Sequence, residues 1–201
     1  MQHCCKRVAE GVILQNIFES KMKYIIPTLC MAVATTSCIE PEDPHGHNEE
    51  ELITTMNVEL VASGDTLTLS FVDLDGDGGN DPVVSVQDLS ASTTYSGTIA
   101  LLNESVDPVI DIGEEVSEEA EDHQFFYHST GASTFSYQDA DMDGNPVGIA
   151  FDLTTDTAGS EDLTFTLRHE PAKDAQDVAG GDITNAGGET DIEVTFSVDI
   201  Q

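Results

Sequence analysis

Asp73, Asp75, Asp77 and Asp81 fall on alternating or near-alternating positions around Gly76, Gly78 and Gly79. Calcium takes six to eight oxygen ligands in a flexible shell, and Asp at positions 1, 3 and 5 of a loop, with Gly at 6, curls three carboxylates onto one centre. Asp73, Asp75, Asp77 and Gly78 fill those positions, and Asp81 takes position 9. A second copy, Asp139, Asp141, Asp143 and Gly144, has Val147 at position 9. Position 12 holds Val84 in the first loop and Ala150 in the second, so neither carries the bidentate glutamate of an EF-hand. The expected cofactor is structural Ca2+, held weakly with a Kd on the order of 10⁻⁴ to 10⁻³ M. The competing reading is two acidic turns between strands.

A second set of polar residues follows Arg168. The segment 168–173 contains Arg168, His169 and Lys173, and a Gly-rich stretch within 174–191 adds Asp182, Asn185 and Glu189. Long connections inside compact domains tend to be functional or disordered. Arg168, His169, Asp182, Asn185 and Glu189 are therefore the candidate ligand loop. The clustered basic residues read either as internal ion pairs anchoring that loop or as an anion contact. A hydrolase would need paired carboxylates such as Glu170 with Asp182 or Glu189, or a base at His123 or His128. Clustering of His123, His128 and His169 around one cleft would favour it. Carboxylates are too abundant for one pair to stand out and no nucleophile motif is present, so no catalytic residue is assigned and a non-enzymatic role is expected.

These groups sit between segments of strand-like sequence. Met56, Val58 and Leu60 alternate with polar residues, as do Leu67, Leu69 and Phe71, with a turn at Ser63-Gly64-Asp65. Tyr95, Gly97, Ile99 and Leu101 share one face, and Phe125 and Tyr127 oppose Gln124, Phe126 and His128. Val147, Ile149, Phe151 and Leu153, then Leu163, Phe165 and Leu167, and finally Ile192 through Ile200 continue the period of two. Only 110–122 lacks β character; Val116 and Ala120 lie four apart there, which allows one or two helical turns amid repelling acids. The expected fold class is all-β: an antiparallel β-sandwich, immunoglobulin-like or related, with about nine strands and at most one short helix. One sandwich over 52–201 is the first expectation, and two small ones split near residue 120 the alternative.

Charge and cysteine placement bound the setting. The 201 residues carry a formal net charge of −33, and from Cys38 onward only Arg168 and Lys173 oppose 37 acidic residues. Such a field repels nucleic acid and attracts cations, so no nucleic-acid partner is expected. All four cysteines, Cys4, Cys5, Cys30 and Cys38, precede the strand-like region, so no disulfide can staple it. Residues 22–37 have a basic start, a short apolar core and small residues before Cys38, the layout of an export signal rather than a membrane span.

Thr35-Thr36-Ser37-Cys38 resembles a bacterial lipoprotein box, with Cys38 as the lipidated residue and Thr35 where an aliphatic residue is commoner. Residues 38–51 are then an expected disordered acidic tether, and 1–21 an upstream extension from a misassigned start codon. Acids just after the lipidated cysteine resemble a signal directing lipoproteins to the outer membrane of Gram-negative bacteria and to its outward face. The segments Phe71 to Asn80, Thr94 to Glu104, His123 to Tyr127 and Gly181 to Val194 together resemble a family of small acidic bacterial lipoproteins. Some members carry the label type 1 periplasmic binding fold, which implies a two-lobed α/β protein at odds with this β-rich chain. The resemblance brings no established activity or ligand. The expected role is a lipid-anchored envelope protein, calcium-stabilised, binding a glycan or protein partner. A hydrolase and a purely structural envelope protein are the alternatives.

Overall fold

The computed structural model describes residues 52–76 and 79–201. Residues 1–21, the export signal 22–37, Cys38 with the tether to 51, and Asp77 of the first loop lie outside the described residues.

Period-two sequence buries one face of the longer strands, and the described residues form ten strands. β1 (Thr55–Ala62) and β2 (Asp65–Val72) form a hairpin that pairs Met56 with Phe71 and Leu60 with Leu67. They are followed by β3 (Val83–Ser85), β4 (Thr94–Asn103), β5 (Ile110–Asp111) and helix α1 (Ile112–Glu118). The remaining strands are β6 (His123–Ser129), β7 (Thr134–Tyr137), β8 (Ala150–Thr154), β9 (Gly159–His169) and β10 (Glu189–Ile200). One sheet runs β3-β2-β1-β4-β8-β7, with β5 added at the far end of β4; the other runs β10-β9-β6. Every ladder between these strands is antiparallel. The fold is an all-β sandwich.

A single core fills the space between the sheets. It takes Met56, Val58 and Leu60 from β1, Tyr95, Ile99 and Leu101 from β4, and Phe151 and Leu153 from β8. From the other side come Phe125, Phe165 and Phe196, with the Phe165 ring set edge-on to Phe196 at 5.8 Å. Gly97 faces the same core because the ring of its cross-strand partner Phe151 lies over it, where a Cβ would collide. The ladder between β4 and β8 joins segments from either side of residue 120 in one sheet.

The single α-helix among the described residues starts where a cap is available. Asp111 accepts a hydrogen bond from the Glu114 N–H at 3.2 Å, and Glu114 and Glu115 lie at the positive end of the helix dipole. Ile112 and Val116, four apart, bury the inner face.

Two departures from the sequence pattern bear on the site. Val147 and Ile149 continue the alternation of β8, but the strand begins only at Ala150. Both oxygens of Asp139 are taken by the backbone N–H groups of Gly148 and Ala150, and the Val147 carbonyl turns to Phe125 on the other sheet. The 174–188 connection is not open either. It forms 3-10 turns at Val178–Gly180 and Ile183–Asn185, and packs Val178 and Ala186 onto Phe126, which buries the outer face of β6.

Candidate functional site

In the first Asp loop, Asp73 accepts from the Gly76 N–H at 2.9 Å, and Asp75 accepts from both the backbone N–H and the side-chain amide of Asn80. These Asn80 donors hold the Asp75 carboxyl below its usual range. Asp81 is exposed. The loop is thus curled by its own carboxylates, with the Asp75 and Asp81 side chains still facing water.

The second loop is organised around a cation from the chain itself. Asp141 Oδ1 accepts from the N–H groups of Asp143 and Asn145, and its Oδ2 lies 3.0 Å from Lys173 Nζ. That ammonium also donates to the carbonyls of Pro146 and Ala120. The two side chains are only 5% and 1% exposed. Burial pushes the Asp141 carboxyl up, but Lys173 and the backbone donors outweigh it, and the net displacement is downward. Asp139 is occupied by Gly148 and Ala150, and Asp143 points to solvent. The three carboxylates Asp139, Asp141 and Asp143 are therefore divided among backbone, lysine and water rather than gathered around one empty centre.

The candidate ligand loop is similarly committed inward. Arg168 donates to the Gly187 carbonyl and to Thr190, Asp182 caps a 3-10 turn through the Thr184 N–H, and Asn185 donates to the Gln176 carbonyl. Glu189 is exposed at the start of β10, and its backbone pairs with His169. His169 stacks on His123 at 4.8 Å, with His123 Nε2 3.9 Å from Asp191. Burial lowers the His123 pKa, against an opposing hydrogen bond to the Glu119 carbonyl. His128 lies further along β6, in a different place, so the three histidines do not share one cleft.

His128 lies instead in a sizeable concavity. β6 and β7 are the outer strands of the two sheets, and between them opens a cleft of about 600 Å³. Its walls present Tyr127, Phe135 and Tyr137 together with hydroxyls from Ser129, Thr134 and Ser136. The Tyr127 and Phe135 rings stack at 4.8 Å, and Tyr127 meets Tyr137 at 5.4 Å. Both phenols are tied down, Tyr127 donating to the Gly148 carbonyl and Tyr137 to the Phe125 carbonyl. Burial pushes Tyr137 up to about 12 and Tyr127 well above its usual value, so neither serves as a base. In a protein with 39 acidic residues, no carboxylate among the described residues lines this cleft.

Of the long loop Ala179, Gly180 and Gly181 line the cleft, and none of Arg168, His169, Asp182, Asn185 and Glu189, the candidate ligand loop, does. Sequence reasoning missed Ser129, Ser133 and Thr134, whose only signal is a run of small hydroxyl residues between two aromatic strands.

Comparison with protein-family models, curated proteins and solved structures gives no match. The reading of function rests on the geometry above.

Proposed function

We propose that this chain is a non-enzymatic, exported lipoprotein whose β-sandwich binds a glycan in the cleft between β6 and β7. The observation that carries this reading is the lining: aromatic faces and hydroxyl groups, without carboxylates, in a molecule whose net charge is −33. Sugar rings pack their C–H faces on aromatic rings and exchange hydrogen bonds with hydroxyls, and a cleft of this size falls in the usual range for ligand sites. The tyrosines have their hydroxyls fixed internally, so their contribution is a rigid apolar face.

Export and lipid anchoring are supported by the signal-like 22–37 segment ending at Cys38, and an outer-membrane, outward-facing location by the acids that follow it. Calcium, in this proposal, belongs to the first loop, where Asp73, Asp75, Asp77 and Asp81 are drawn from one stretch. In the second loop the Lys173 ammonium supplies the positive charge.

A glycan array probed with the mature chain tests the reading. Binding to at least one glycan class is expected, and Ala179→Trp, which fills the cleft mouth at an exposed position, is expected to abolish it. Binding that survives Ala179→Trp places the ligand elsewhere. An array without signal, alongside capture of a protein from intact cells, would replace the glycan by a protein partner.

A further inference from the structure

β6 and β7 each end a sheet, so each has an edge with which no strand pairs. Peptide groups point alternately to the two sides of a strand, and an edge leaves one row of N–H and C=O groups outside the ladder. The register identifies that row. His128 pairs with Thr164, and beyond it the Thr130 N–H reaches the Asp162 carbonyl, so the even-numbered residues of β6 bond to β9. Phe125 shows the other side: its N–H donates to the Val147 carbonyl and its C=O accepts from the Tyr137 hydroxyl, both away from β9. Tyr127 and Ser129 follow Phe125 on that side. In β7 the Gln138 N–H reaches the Ala150 carbonyl, so Ser136 and Thr134 bond to β8. The peptide groups of Phe135 and Tyr137 therefore turn outward.

Tyr127, Ser129, Phe135 and Tyr137 all line the cleft of about 600 Å³, and none of the four is fully buried. The Tyr137 side chain crosses to the Phe125 carbonyl and closes one end. Between that crossing and the 130–133 bend, the cleft is flanked by two rows of outward peptide groups, each with one donor and one acceptor.

A ligand with secondary amides of its own matches such rows. An extended peptide would need a longer ladder, because β7 has four residues and turns only Phe135 and Tyr137 outward, whereas strands commonly run to about five or six. Pendant acetamido groups need only one or two partners each. A β-1,4-linked N-acetylhexosamine chain turns each ring over relative to the last, so its acetamido groups point alternately to the two sides. They are also uncharged, whereas a net charge of −33 repels uronate, sulfated and sialylated sugars.

We infer that the cleft's ligand is a neutral N-acetylated oligosaccharide whose acetamido groups pair with the outward peptide groups of Tyr127 and Ser129 on β6 and of Phe135 and Tyr137 on β7. This rests on the reading of the cleft as a glycan site and adds the class of glycan. The aromatic wall holds the sugar rings, and the two strand edges select the amides.

Two measurements on the full mature chain test the inference. Calorimetric titration compares a β-1,4-N-acetylglucosamine tetrasaccharide with the glucose tetrasaccharide of the same linkage, which carries hydroxyls in place of the acetamido groups. The acetylated sugar is expected to bind about tenfold more tightly, the effect of one or two net hydrogen bonds. Amide hydrogen exchange locates the contact. With the acetylated sugar at saturation, exchange is expected to slow about tenfold at outward amides on both strands, Tyr127 or Ser129 and Phe135 or Tyr137. His128 and Ser136, bonded within their ladders, are expected to be unchanged. Equal binding of the two sugars, or slowing without that alternation, overturns the inference while the glycan reading stands. Slowing of the same amides by an extended peptide of alternating Thr and Val, when the acetylated sugar leaves them untouched, overturns it in favour of a peptide strand. Binding of neither tetrasaccharide, when other glycans bind, also overturns it; an absence of all glycan binding removes both.

Discussion

At the scale of single residues, Lys173 is the side chain whose role was hardest to read. The sequence marks it as one of two basic residues after Cys38 and offers internal ion pairing as one reading, but 37 acids compete as partners. Selection of Asp141 depends on the loop after β7 and the segment after β9 meeting beside the end of α1, which no local pattern encodes. Breaking a buried pair by removing one member leaves an uncompensated charge, at a cost of about 3–5 kcal/mol. Lys173→Met is therefore expected to lower stability by that amount in a denaturant melt, and Lys173→Met with Asp141→Asn to recover part of it. The pH dependence has a definite sign. Asp141 is depressed in the folded state, so its contribution is present above the ordinary carboxylate value near roughly 3.9 and lost as pH falls through the lower folded value. Lys173→Met should flatten the acid limb of the stability curve. An unchanged melt would show that the ammonium is dispensable.

At the scale of elements, strand existence was legible and strand ends were not. Period-two runs such as Met56-Val58-Leu60 and Val194-Phe196-Val198 announce half-buried strands, and all six side chains are buried in the core. β5 has two residues and hence no period to detect. The start of β8 was misplaced because the Asp139 carboxylate claims the N–H groups of Gly148 and Ala150. Phe126 and Gln124, on the face of β6 away from the core, are buried because a connection some fifty residues on, with Val178 and Ala186, folds over them. The cleft was invisible for a similar reason: its walls belong to different sheets. Gly97 shows how one residue fits two elements together. Gly97→Val would drive a side chain into the Phe151 ring, and overpacking of this kind costs about 1–3 kcal/mol. A Tm unchanged in Gly97→Val would show that β4 and β8 tolerate separation there.

At the scale of the whole molecule, the dominant fact is charge without staples. No cysteine lies beyond Cys38, and the net charge is −33. Self-repulsion of this size should make stability rise with ionic strength. If the first Asp loop takes calcium, the rise must exceed that of a sodium chloride control at equal ionic strength. At about ten times Kd, mass action adds roughly 1.4 kcal/mol, or about 3–6 °C for a domain this size. Alanine at Asp75 and Asp77 should remove that excess, whereas Asp143→Ala should not. A calcium effect no larger than that of sodium would reduce the first loop to an acidic turn.

The sandwich also has two unlike poles. Thr54 and Asp73 are hydrogen-bonded where the described chain enters β1, and His123, His169 and the 3-10 turns cap the same end of the smaller sheet. The opposite pole is closed by Leu89 bridging to Ile200, and the 130–133 bend with Glu161 lies toward it. Leu52, the first described residue, therefore lies toward the pole remote from that bend. On the proposed reading as a lipid-anchored protein, a molecule held from that side turns the opposite pole, with its 130–133 bend, to the medium.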